Sequence, residues 1–301
     1  MSVAQVSLSS GGPTFSRLVA GVMTWGVWGH QLDTKAMRTL IEGCVDLGIT
    51  TFDHADIYGH YTTEAEFGKA LAESTELRDN IQLVSKCGIR LVCKERPQNR
   101  LKSYDTRRAY IIASVEQSLR NLRTDYLDLL LIHRPDPLLH AEEVAEAIAQ
   151  LKQAGKVRAF GVSNFTPSQF AYLRSATPLL TNQVEISLLQ HAALFDGTLD
   201  QCLQYGLRPM AWSPLGGLFK REDEAARRLR TKLDEIAERY EHADHDVLLL
   251  AWLLKHPAGI LPVLGTARLE RLKRACQALT LNLDRQDWYA LLEAARGEEV
   301  A

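Results

Sequence analysis

The chain has 301 residues, 46% of them hydrophobic and 24% charged, with a formal net charge of −2. That composition supplies a sizeable core and excludes an intrinsically disordered chain, and the near-neutral charge gives no general attraction to nucleic acid or to an anionic membrane. Length alone allows one large barrel or two ordinary domains.

In chain order, the first element is a β-hairpin, Val3–Ser7 pairing with Thr14–Arg17 around the turn Ser10-Gly11-Gly12-Pro13. Short apolar runs then alternate with helical patterns. The runs are Leu18–Val22, Thr50–Asp53, Ile81–Lys86, Leu127–His133, Val157–Ser163, Asn182–Glu185, Arg208–Ser213 and Ile260–Leu264. Between them, Ile112, Val115, Leu119 and Leu122 share one helical face, as do Val144, Ile148 and Leu151. Thr63 with Glu66 fits a capping box, and Thr166-Pro167 fits a cap followed by proline in the first turn. Gly48, Gly155 and Gly206 fall where helices should stop. Strand-then-helix units without a composition break predict a single domain over residues 1–301, a (β/α)8 TIM barrel. It carries the N-terminal hairpin at one end and an extra C-terminal helix near Gln286–Arg296 at the other. An open doubly wound sheet is less well supported, because no GxGxxG or GxxxxGK[ST] occurs. The loop Gly88–Tyr104, rich in Lys and Arg, is too long for a plain connection and is read either as a lid or as a solvated surface loop.

Cellular context follows from a few features. Cys44, Cys87, Cys93, Cys202 and Cys276 are scattered, with no CxxC pair, and read as reduced thiols. The opening residues lack the pattern of a signal peptide, and the longest apolar runs, such as Val247–Leu254, fall far short of the ~20 residues needed to span a bilayer. The expectation is a cytoplasmic monomer acting on a small molecule, with no nucleic-acid or membrane partner. No HxH or HExxH spacing suggests a metal.

The apolar runs end in polar residues: Asp53, Lys86, His133, Ser163-Asn164 and Trp212-Ser213 close their strands, Gln183 and Glu185 lie in the sixth run, and Gly265-Thr266 follow the last. In a barrel these ends meet at one mouth. There Tyr58, Lys86, Asp53 and His133 form a proton-delivery set. A phenol, with an ordinary pKa of ~10, becomes a usable acid when an ammonium favours its phenolate, and a carboxylate keeps that ammonium charged. His133 then donates a hydrogen bond to a substrate oxygen. Taken singly, each residue is as well explained by packing or solvation.

Several runs together resemble the aldo-keto reductase superfamily. They are Thr51-Phe52-Asp53-His54-Ala55-Asp56-Ile57-Tyr58-Gly59 with Glu66-Phe67-Gly68-Lys69-Ala70-Leu71, Val84-Ser85-Lys86, Leu129-Leu130-Leu131-Ile132-His133, Gly155-Lys156-Val157-Arg158 and Gly161-Val162-Ser163-Asn164-Phe165. The stretches Asp53–Tyr58 and Leu131–Pro137 are most similar to the bacterial YdhF-like branch. The resemblance implies a catalytic tetrad of Asp53, Tyr58, Lys86 and His133, and reduction of an aldehyde or ketone by NADPH with Tyr58 as proton donor. It implies that Ser163, Asn164 and Gln183 hold the nicotinamide carboxamide and that Trp212 stacks on its ring. Gly21, Thr24 and Trp25 lie near the nicotinamide end. Ser213, Pro214, Leu215 and Gly217 pass over the pyrophosphate, and Gly265, Thr266, Arg268 and Arg271 form the adenosine-phosphate site that favours NADP(H). At a helix start, two guanidinium forks on one face suit a phosphate monoester. Trp25, Trp28, Tyr61 and the 88–104 loop are read either as substrate contacts, which would favour apolar or aromatic carbonyls, or equally well as core packing. Two alternatives stand beside this reading. One is an NADPH-binding sensor without significant turnover. The other is a Schiff-base aldolase built on Lys86, which pairing with Asp53 disfavours.

Overall fold

The computed structural model describes residues 2–300. In chain order its strands are β1 (Gln5–Ser7), β2 (Thr14–Ser16), β3 (Val19–Gly21), β4 (Thr51–Asp53), β5 (Gln82–Cys87), β6 (Ile89–Arg90), β7 (Ser103–Tyr104), β8 (Leu127–Ile132), β9 (Val157–Ser163), β10 (Asn182–Glu185), β11 (Met210–Trp212) and β12 (Leu261–Leu264). Eight of them close into a parallel barrel in the order β3-β4-β5-β8-β9-β10-β11-β12, with β12 pairing back onto β3. All eight predicted runs are barrel strands, most within two residues of the expected bounds. A parallel barrel strand is buried on both faces, so it reads as an almost unbroken apolar run.

The interior is set by a period of two along each strand. Val19, Val84, Leu129, Leu131, Ala159, Met210, Leu261 and Val263 form one inner cluster, and Leu8 and Phe15 of the hairpin segment pack into it as a floor. Neighbours of opposite parity, such as Phe52, Leu83, Leu130, Ile132, Phe160 and Val162, belong to the layer between barrel and helices. Gly48, Gly155 and Gly206 follow their helices with φ of 80°, 69° and 63°, the left-handed stop that glycine takes without a Cβ clash. Thr166 caps the helix Pro167–Arg174 through a full capping box with Gln169. The C-terminal helix runs Arg285–Arg296.

One expectation changes. Thr63 and Glu66 make no capping box: Thr62 occupies the cap of the helix Thr63–Leu71 without a side-chain bond. Thr63 Oγ1 and Glu66 Oε2 are instead buried without partners among the described residues, crowding the space a Cβ on Gly26 would need. Packing against the first strand-to-helix loop has overridden the local cap. The 88–104 loop is exposed along much of its length, as a solvated loop would be, but it is cross-linked internally. Its ends pair as the ribbon β6–β7, and Asn99 ties Arg90 and the Leu91 carbonyl together.

Candidate active site

The inward parity of the barrel interior continues into its top layer. Gly21, Lys86, His133, Trp212 and Gly265 each lie two residues beyond an inner-cluster residue, and Asp53 follows the outward Phe52. Six strands therefore aim these residues at one mouth, and Ser163 and Gln183 of the other two, β9 and β10, complete the ring.

At its centre, Lys86 Nζ donates to Asp53 Oδ2 at 2.7 Å, to the His54 carbonyl at 2.8 Å and to Tyr58 Oη at 3.2 Å. Lys86 is 1% exposed and Asp53 2% exposed. Burial works against the ammonium, but Asp53 and Tyr58 outweigh it, and the Lys86 pKa is raised. A lysine so held stays protonated at neutral pH and is a poor Schiff-base nucleophile. Asp53 Oδ1 accepts from Gln183 Nε2 at 2.9 Å, so both carboxylate oxygens are satisfied. The tyrosine corrects the sequence reading. Burial raises the Tyr58 phenol above its ordinary value, and the lowering by Lys86 does not cancel that. Lys86 limits the rise instead of producing a net drop. His133, its ring 6.0 Å from that of Tyr58 and edge-on to it, is held well below the ordinary histidine value by burial and by the positive charges of Lys86, Arg134 and Lys102. It is therefore neutral at neutral pH, with one N–H to donate.

Beside the tetrad runs a chain of fixed polar groups. Trp212 Nε1 donates to Asn164 Oδ1 at 2.9 Å, Asn164 Nδ2 donates to Ser163 Oγ at 2.8 Å, and Ser163 Oγ donates to the Gln183 carbonyl at 2.8 Å. After β11, Ser213, Gly216 and Gly217 all take left-handed backbone, with φ of 49°, 57° and 67°. A side chain on Gly217 would meet nothing within 4 Å, so the backbone is open to close approach there. Pro214 is buried and Leu215 packs against the core. Gly21 is buried, and a Cβ on it would sit 3.0 Å from Val263. Thr24 Oγ1 and His133 Nδ1 are buried polar atoms without a partner among the described residues. Gly265 is open and exposed, and Thr266 Oγ1 accepts from the Arg268 N–H at 3.2 Å. Arg268 caps the short helix Leu269–Ala275, and Arg268 and Arg271 are both exposed. These groups fit a long anionic coenzyme: polar side chains at the tetrad end, open backbone in the middle, exposed cations at the far end.

The family model of the Aldo/keto reductase family matches residues 17–296 of this chain. The chain belongs to that family. The oxidoreductase YdhF of Escherichia coli is 47% identical over 300 residues, covering 99% of each chain. A 6-dehydroglucose reductase of Agrobacterium fabrum is 46% identical, covering 93% of this chain and 95% of its own. Among solved structures, the glycerol dehydrogenase AKR11B4 of Gluconobacter oxydans superposes with a TM-score of 0.84 at 25% identity, covering 99% of this chain and 97% of its own. This aldo/keto reductase is thus an oxidoreductase that acts by carbonyl reduction, and its kinship with YdhF bears out the branch resemblance.

Two candidate substrate contacts are engaged elsewhere in this reductase. Trp25 is fully buried against Phe52 and Phe67, and its indole N–H donates to the Thr266 carbonyl at 3.0 Å. It is a core residue that braces the first loop against the last. The phenol of Tyr61 is engaged by the 88–104 loop, accepting from the Leu91 N–H at 2.9 Å. Trp28 does remain beside the tetrad, 6.1 Å from the Tyr58 ring. Residues missed in the sequence are Arg134 and Lys102. Both charges act on His133, and the Arg134 guanidinium lies 5.6 Å from the Trp212 ring centroid. Arg134 directly follows the histidine that ends its strand, which was the available signal.

The turn after Tyr58 was also illegible. Gly59, His60 and Tyr61 have φ of 59°, 57° and 69°, three successive left-handed residues. For each non-glycine residue this conformation costs about 1–2 kcal/mol, so contacts from outside the turn must hold it.

Proposed function

We propose that this aldo/keto reductase is a cytoplasmic, monomeric, single-domain enzyme that uses NADPH to reduce small hydroxylated aldehydes, with Tyr58 as general acid. The observation that carries the reading is the buried ammonium of Lys86, 3.2 Å from the Tyr58 oxygen and 2.7 Å from Asp53. When bound, the reduced coenzyme supplies the hydride that the carbonyl carbon takes up. Tyr58 gives its proton to the carbonyl oxygen as charge develops there, and the ammonium of Lys86 stabilises the phenolate left behind. Asp53, fixed by Gln183, keeps Lys86 charged and in place. Neutral His133 donates its N–H to the same oxygen and orients it.

Ser163, Asn164, Gln183 and Trp212 would hold the coenzyme's carboxamide and ring. Gly21 and Thr24 would lie beside them, and Ser213, Pro214, Leu215 and Gly217 along the diphosphate. Gly265, Thr266, Arg268 and Arg271 would take the 2′-phosphate. The preference for a hydroxylated substrate over an aromatic one has two supports. Two related proteins are named for 6-dehydroglucose and glycerol, and the positive charges of Arg134 and Lys102 act on His133 at the mouth.

Two measurements test the reading. Arg268→Ala with Arg271→Ala is expected to weaken NADPH binding by about tenfold or more, since each bond to a charged group contributes roughly 1.5–3 kcal/mol, and to leave NADH binding unchanged. Quenching of coenzyme fluorescence reads both affinities, and an equal effect on the two coenzymes would reject the phosphate assignment. The pH profile tests the acid. Reduction needs Tyr58 protonated, and burial raises its pKa, so kcat/KM should stay level across the neutral range and fall only above about 10. His133 is already neutral, so it contributes no break near pH ~6.5. A basic limb centred near neutrality would contradict this assignment.

A further inference from the structure

We infer that Tyr61 is a positioning residue for the reduction. It ties the 88–104 loop to the left-handed turn that carries Tyr58, so that one side chain sets both the loop and the proton donor. The inference rests on the reading of Tyr58 as general acid.

The turn cannot hold its shape from local preference. His60 and Tyr61 are L-residues in left-handed backbone, and only Gly59 is at ease there. Within the turn, Thr62 Oγ1 donates to the Gly59 carbonyl at 2.8 Å, and the Thr62 N–H donates to the Tyr58 carbonyl at 3.2 Å. Both bonds close the turn, but neither fixes its orientation against the barrel.

Besides the bond from Lys86 to Tyr58 Oη and the packing of Trp28 against His60, the anchors from outside the turn come from Tyr61. Its Oη accepts from the Leu91 N–H at 2.9 Å and donates to the Ile89 carbonyl at 3.3 Å. The Arg96 guanidinium sits 4.4 Å from its ring centroid. Ile89 begins β6, whose register with β7 is fixed, and the Leu91 carbonyl accepts from Asn99 Nδ2 at 2.9 Å. The phenol is therefore bound by a loop that is itself cross-linked. At the root, Ile89 packs in one small cluster with Ala55, Ile57, Tyr58 and Tyr61. Loop and proton donor share this anchor three residues from Tyr58. Displacement of a reacting group by about 1 Å can cost on the order of a hundredfold in rate.

Tyr61→Phe removes both hydrogen bonds and keeps the ring. Its effect is read with glyceraldehyde, a small aldehyde, beside a coenzyme fluorescence titration, with Arg96→Leu and Tyr58→Phe in parallel. A positioning role predicts that Tyr61→Phe lowers kcat by about tenfold or more, with KM and NADPH affinity within about twofold of wild type. Arg96→Leu should move kcat the same way by less. A kcat within twofold of wild type, or a loss confined to KM, overturns the proposal, since those outcomes describe a structural or substrate-contact residue. If Tyr61→Phe does not fold, Arg96→Leu decides: an unchanged kcat overturns it and a lowered one supports it. Failure of the underlying reading shows separately, as turnover retained in Tyr58→Phe.

Discussion

Tyr58→Phe is expected to lower kcat for aldehyde reduction by about 10²- to 10⁴-fold, the range a positioned general acid supplies. NADPH affinity should be unchanged. The substitution removes one oxygen and keeps the ring, which packs beside Trp28 and His133. Lys86 loses one of its acceptors but keeps Asp53 and the His54 carbonyl, so the fold should lose no more than about 2 kcal/mol. Steady-state kinetics, coenzyme fluorescence and denaturant titration on one preparation separate these effects. Turnover near wild type would remove Tyr58 from its proposed role, and loss of coenzyme binding would show that the change reached beyond the acid.

Lys86→Met is expected to be damaging in a second way. Its ammonium and the Asp53 carboxylate are both buried, and removing one charge leaves the other unpaired in a dry site. That costs about 3–5 kcal/mol, whereas replacing both partners by apolar residues of similar size is often close to neutral. The double substitution Asp53→Leu with Lys86→Met should therefore recover much of the stability lost in the single mutant, without recovering activity. Urea denaturation measures this, and a double mutant no more stable than Lys86→Met would refute the argument. The sign with pH is also set. The folded pKa of Lys86 is raised, so its contribution is fully present below the ordinary lysine value of ~10.4 and is lost only as pH rises through the higher folded value. The Lys86 contribution to wild-type stability should thus be constant across the neutral range, whereas Lys86→Met should gain stability as pH falls and its unpaired Asp53 takes up a proton.

Much of this protein was legible in its residues. The barrel strands were readable because burial on both faces leaves a signature that needs no partner to recognise: a short apolar run ending in a polar residue. Asp53, Lys86 and His133 were readable for the same reason, since each breaks its run where the strand reaches the mouth. Gly48, Gly155 and Gly206 and the Thr166-Pro167 cap were readable because their preferences are local. What was not legible depended on groups far apart in the chain. Gln183 reaches Asp53 across 130 residues, and Trp25 meets the Thr266 carbonyl across 241. The sign of the Tyr58 shift depends on how much water the closed barrel removes, which no motif carries. The Thr63–Glu66 pattern promised a cap that packing near Gly26 overrode. Residue order alone placed Asp53, Lys86 and His133 at strand ends, because strand period and strand end are local properties. Their protonation and the bend after Tyr58 were decided only by the assembled molecule, because desolvation and strain are set by neighbours that folding brings together.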